Sequence, residues 1–302
     1  MNKLSRYSTS SLLVHFGYLF GLFFIMLVTC SFVTYFIPYL GLSPRTKAFS
    51  VAALQSIIIF ILPALAYTHF FSGRAFQSLT LTKAPKWKSI LGVLLIFIIG
   101  FPFLNQIIFW NETINLPESM SGLEEALRKM EDNAADATKL LLSSTSYGGL
   151  IAGILIVGIL TGIAEELFFR GCMQKAFIKS GINAHVAIWI TAIIFSGMHF
   201  QFFGFVPRML LGALFGYLFW WTGSLWVSII AHSINNIIVV VDSWLMQRNI
   251  IDIDFEHLGV ERNSVSWLFC ASAILLIIFF YFGRNYFFRK TNINKLNGLN
   301  RI

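Results

Sequence analysis

Apolar residues dominate eight long stretches of the chain, near 11–38, 50–71, 89–110, 149–177, 185–203, 205–222, 224–245 and 267–283. A helix needs about 20 predominantly apolar residues to cross a hydrocarbon layer of about 30 Å, and these stretches come close to or exceed that length. Polar residues collect between them, most densely at 111–148, where seven carboxylates run from Glu112 to Asp136. The pattern predicts an all-α polytopic transmembrane helix bundle of about eight spans. The breaks near 204 and 223 rest on Gly204, Pro207 and Gly223. Within the acidic loop, Leu123, Leu127 and Met130 recur at helical spacing, which predicts a short helix, either amphipathic on the membrane surface or a solvated connector.

Composition sharpens this reading. With 57% hydrophobic residues, 12% charged residues and a mean hydropathy of +0.73, the 302-residue chain falls outside the range of ordinary soluble domains. Its net charge of +8 would suit nucleic acid, but the charges are divided among loops in the manner of a membrane protein. Lys and Arg number 14 in the odd-side segments (before residue 11, 72–88, 170–183 and after 283) against 8 on the other side. The positive-inside bias places both termini in the cytoplasm of a multi-pass protein of the cell membrane, with 111–148 external. No nucleic-acid partner is expected. Cys30, Cys172 and Cys270 lie in or beside apolar spans without pairing or metal spacing and read as buried small side chains.

This layout divides the chain into three regions: 1–148, with three spans and the acidic loop; 149–245, with spans 4 to 7; and 246–302, with a loop, the last span and a basic cytoplasmic tail. Small residues at Gly149/Gly153, Gly158/Gly162 and Gly212/Gly216 predict close helix contacts.

The middle region also holds polar residues that a lipid-facing helix would not tolerate. Each charged side chain at the centre of a membrane helix costs about 2.5–3.5 kcal/mol on the insertion scale. Span 4 nevertheless carries Glu165, Glu166 and Arg170; span 5 carries His199; span 7 carries His232 and Asn236. Glu166 and Arg170 are spaced i,i+4 with the acid first, which favours an intrahelical ion pair. Glu165 projects about 100° away around the helix and needs a cavity, water, a metal or another helix as its partner. His232 and Asn236 share a helix face. A carboxylate, two imidazoles and a carboxamide are suited to activating water and stabilising an oxyanion, and they equally form a three- or four-ligand metal set.

"EELFFR" (165–170), "FSGMH" (195–199) and "HSINN" (232–236) are similar, in order, to the EExxxR, FxxxH and HxxxN motifs of the CPBP family of intramembrane proteases. That family includes the CAAX prenyl endopeptidases and bacteriocin-processing and self-immunity proteins. The resemblance covers roughly 150–240. It implies a membrane bundle that hydrolyses peptide bonds of a membrane-associated peptide or protein, in contact with the lipid bilayer. It assigns Glu165 as general base with His199 beside it, His232 and Asn236 to the rest of the catalytic site, and Glu166 with Arg170 to structural support. Two mechanisms are described for the family. In one, Glu165, His199 and His232 hold a zinc ion; in the other, Glu165 and His199 activate water without metal while His232 and Asn236 bind the oxyanion. Asn is a rare zinc ligand and a good oxyanion donor, which favours the metal-free role for Asn236. A transporter or proton relay, and a non-catalytic scaffold or immunity factor with the same fold, are the alternative readings.

Overall fold

The computed structural model describes residues 12–72, 75–251, 258–262 and 264–288. The extreme N-terminus and the basic tail after residue 288, which the charge pattern places in the cytoplasm, lie outside these residues. The principal helices are α1 (Leu12–Tyr35), α2 (Pro44–Ser72), α3 (Trp87–Glu112), α4 (Ser121–Leu142), α5 (Tyr147–Lys179), α6 (Ala184–Gly197), α7 (Phe205–Thr222), α8 (Leu225–Gln247) and α9 (Trp267–Phe287). All except α4 are apolar, and seven of those eight are long enough to cross a membrane; α6, with 14 residues, is shorter. The architecture is the all-α bundle of about eight spans that the hydropathy pattern predicts.

Local chemistry marks the helix ends. Ser43 caps α2 by accepting the Thr46 N–H, with Pro44 in the first turn. Ser146, Asn183 and Ser266 cap α5, α6 and α9 in the same way. Gly223 closes α7 in the left-handed conformation (φ 62°), its N–H bonded to Phe219 O. Pro102 lies inside α3, and Ser272 of α9 donates to the nearby Ile99 carbonyl.

Polar contacts sort the loops onto two faces. On one, Arg45 bonds Ser143 and Ser144, Gln247 bonds Leu142 O, and Gln106 meets Glu261. On the other, Lys175 donates to Ser78 O, Lys83 to Thr222 O, and Ser89 to Phe287 O. The acidic helix α4 belongs to the first face. It is longer than the short segment expected, and its Glu124 accepts the Leu116 N–H and pairs with Arg128. Of the three cysteines, Cys30 and Cys172 are buried while Cys270 is exposed on α9, so the expectation of three buried thiols fails at Cys270. That helix packs by one side only, and its apolar outer residues, such as Ile277 and Tyr281, are also exposed.

The centre of the bundle is the contact of α5 with α8. Gly153, Gly158 and Gly162 face Val240, Ile237 and Ser233 so closely that a methyl group added at any of them would stand within 3 Å of the opposing side chain. Gly212 and Gly216 of α7 similarly meet α6, at Ala192 and Ile188, whereas Gly149 faces Ser144. Backbones that approach this tightly bring their short polar side chains into mutual reach.

Candidate active site

Three helices set the site. Glu165 and Glu166 lie in an α-helical turn of α5, Thr161–Glu166, flanked by two wider π-helical stretches, Ile154–Leu160 and Leu167–Gln174. His232 comes from α8, which the glycine contacts hold against α5. His199 follows the end of α6.

The two adjacent carboxylates have different surroundings. Glu166 is fully buried, and so is Arg170. Arg170 Nη1 donates to Glu166 Oε1 at 2.6 Å, so the i,i+4 ion pair expected from the spacing is present. Arg170 Nη2 donates to Gly212 O at 2.7 Å, tying α5 to α7. Ser228 Oγ donates to Glu166 Oε2, and His232 Nδ1 lies 2.9 Å from Glu166 Oε1. Three donors from two helices therefore satisfy this carboxylate, as a charge taken out of water requires. Glu165 is also buried, at 7% exposure, and its Oε2 stands 3.8 Å from His232 Nε2. That distance is too long for a hydrogen bond.

The partners assign the histidine protons. A carboxylate paired with Arg170 is an acceptor only, so His232 presents Nδ1–H to Glu166. When neutral it carries its lone pair on Nε2, toward Glu165. His199 Nδ1 lies 2.8 Å from Phe195 O, and a carbonyl likewise only accepts, so neutral His199 also has a free Nε2 lone pair. The Phe195 ring touches both imidazoles, with centroids 5.0 Å from His199 and 5.9 Å from His232, and Phe215 stacks on His232 at 4.8 Å. These rings fix the imidazole planes.

The structure thus brings Glu165, Glu166, Arg170 and His232 into direct contact, and joins His199 to them through Phe195. Asn236 stands one turn along α8 from His232, where its Nδ2 donates to Val157 O at 3.2 Å. One of its amide hydrogens is thus committed to α5, and its Oδ1 accepts the Asn235 amide at 3.4 Å. Among the described residues, no three or more His, Cys, Asp or Glu side chains stand at metal-ligand spacing, so Glu165, His199 and His232 as placed do not form the three-ligand set expected of a zinc site. Ser228 escapes a reading of the motifs alone. Its signal is the polar stripe Ser228, His232 and Asn236, at successive i,i+4 steps on α8.

A cavity of about 640 Å³ opens between α3, α7, α8 and α9. Most of its walls are apolar, including Phe97, Phe101, Leu211 and Phe280, with Asn235 and Asp242 among the polar ones; Glu165, His199, His232 and Asn236 do not line it.

The family model for "Type II CAAX prenyl endopeptidase Rce1-like" matches residues 147–238. Among curated proteins, YpbD of Bacillus subtilis (strain 168), described as uncharacterized, is 31% identical over 118 residues, which cover 38% of this chain and 52% of YpbD. The match thus spans about half the length of that relative. No solved structure matches the chain. The family match falls on the helices that carry all three motifs, and over residues 147–238 the resemblance to the CAAX endopeptidases is shown.

Proposed function

We propose that this membrane protein is an intramembrane endopeptidase in which Glu165 activates water against a peptide carbonyl. The observation that carries the reading is the asymmetry of the two glutamates. Glu166 is saturated by Arg170, Ser228 and His232, while buried Glu165 has no hydrogen-bond partner among the described residues and faces His232 at 3.8 Å. A buried carboxylate left free is costly as structure and useful as a base.

In the proposed reaction, water lies between Glu165 and the Nε2 lone pair of His199. Glu165 takes one water proton while the oxygen bonds to the carbonyl carbon. The tetrahedral intermediate collapses by breaking the C–N bond, and the proton passes to the leaving amine. Asn236 offers its second Nδ2 hydrogen to the oxyanion. His232, whose Nδ1 proton is held by Glu166, can donate there only through an Nε2 that also carries a proton. Glu166 and Arg170 position His232 and take no part in the chemistry. The place of these residues among membrane-spanning helices, and the match to a CAAX endopeptidase family model, support a membrane-borne peptide or protein as substrate.

The test is cleavage of membrane-anchored peptides by the purified protein in lipid nanodiscs. Wild type should cleave, and Glu165→Gln should be inactive while melting at the same temperature. Normal turnover by Glu165→Gln would sink the assignment. In the same assay, loss of wild-type activity to a chelator and its return with zinc would replace the metal-free route with a zinc-dependent one.

A further inference from the structure

His199 is placed by a turn, not by a helix. α6 ends at Gly197, and residues 198–204 return the chain to α7. Fourteen helical residues rise only about 21 Å, so α6 is shorter than the spans around it, and the turn that follows meets the end of α3 at Asn111. Its non-helical backbone leaves polar groups that need partners outside the segment. The turn also holds Phe200 at φ 55°, in the left-handed region that a bulky residue rarely adopts. Something must hold it there.

Two elements do so. Asn111, at the end of α3, donates to Phe202 O at 3.3 Å and accepts the Val206 N–H at 2.7 Å. The other element is the acidic helix α4. Its Glu131 accepts the Phe203 N–H at 3.2 Å and the Gln201 amide at 3.0 Å, and its Arg128 covers the Phe203 ring at 4.1 Å. Phe203 is buried at 2% exposure. The acidic connector is therefore bolted to the turn that begins at His199.

We infer that Glu131 is a positioning residue for His199, acting through the 198–204 turn. Removing its carboxylate frees the Phe203 N–H and Gln201 together. The strained turn then relaxes, and the His199 ring shifts relative to Glu165. A displacement of about 1 Å in a catalytic group can cost about 100-fold in rate.

The inference rests on the proteolytic reading for its kinetic arm only. In nanodiscs, Glu131→Ala should lower kcat by about 10- to 100-fold with KM within about twofold. Glu131→Gln, whose amide oxygen still accepts the Phe203 N–H, should recover most of the loss. Independently of cleavage, ¹⁵N-histidine spectra of the full chain, with the His199 signal identified by its absence in His199→Gln, should show that resonance displaced in Glu131→Ala and near its wild-type position in Glu131→Gln. Arg128→Ala gives a second route to the same displacement should Glu131→Ala fail to fold. An unmoved His199 resonance, or unchanged kcat in Glu131→Ala, overturns the inference. A wild type that cleaves nothing defeats the proteolytic reading and leaves the spectra to decide on Glu131.

Discussion

Glu166 accepts from Arg170, Ser228 and His232 at once, so its truncation deprives three groups of an acceptor. Breaking a buried ion pair by removing one partner typically costs about 3–5 kcal/mol. Glu166→Ala should lower the melting temperature in detergent sharply, and a neutral partner at Arg170 should restore part of the loss. Ser228→Ala removes one hydrogen bond to a charged group, worth about 1.5–3 kcal/mol, and should give an intermediate loss. A Ser228→Ala protein as unstable as Glu166→Ala would mean that the serine, and not the ion pair, anchors this cluster. The pairing of Glu166 with Arg170 was legible from i,i+4 spacing alone, because that geometry is local to one helix. The contribution of Ser228 was not, since a helical serine ordinarily bonds the carbonyl four residues before it. Only the approach of α8 to α5 turns its hydroxyl toward a carboxylate 62 residues away.

The contact between α5 and α8 sets how far apart Glu165 and His232 stand. A methyl group at position 162 would lie 2.7 Å from Ser233 Oγ and 3.2 Å from Ser233 N. The second of these is backbone and cannot rotate away. Gly162→Ala should therefore push α8 outward at the residue next to His232, with an overpacking cost of about 1–3 kcal/mol and a loss of activity out of proportion to the loss of stability. A Gly162→Ala protein with wild-type turnover would mean that the site tolerates a wider helix spacing than its geometry implies. Hydropathy located the spans because burial in lipid demands long apolar runs. It misplaced the end of span 5, expected at 203 and found at Gly197, because the apolar run continues through Phe200, Phe202, Phe203 and Phe205 with no charged residue to mark the turn. A backbone reversal held by side chains from α3 and α4 has no signature in the segment that reverses.

At the scale of the whole molecule, the two faces differ in charge. Among all 302 residues, no Asp or Glu occurs in 1–11, 72–88, 170–183 or 283–302, while Lys and Arg recur throughout those segments. Lys83 and Lys175 on this face give their ammonium groups to carbonyls at helix ends, Thr222 O and Ser78 O, where the helix dipole is negative. Facing an anionic inner leaflet, such a surface is attracted; facing outward, it gains nothing. Cysteines introduced at Lys86 and at Glu125 should therefore react from opposite sides in intact cells, with the Glu125 site open to an impermeant external reagent and the Lys86 site protected. External labelling of Lys86→Cys would invert the orientation and leave the internal geometry unaffected.

The π-helical stretch Ile154–Leu160 is also a matter of phase. Gly153 and Gly158 are five residues apart, a step that would carry them to different sides of a regular α-helix at 100° per residue, yet both face α8, at Val240 and Ile237. The wider turn absorbs one surplus residue and resets the angular register before the chain reaches Glu165. In effect α5 carries a single-residue insertion that the helix accommodates by widening, so that the remainder of the helix is not rotated. Deleting Leu155, which is 54% exposed on the outer side of that turn, should let the segment rewind as an α-helix and leave Glu165 and Glu166 aimed as before, with folding and turnover retained. Deleting Ile163, where the helix is regular, should rotate both glutamates by about 100° away from His232 and abolish the site. Equal damage from the two deletions would show that the surplus residue is not a removable one.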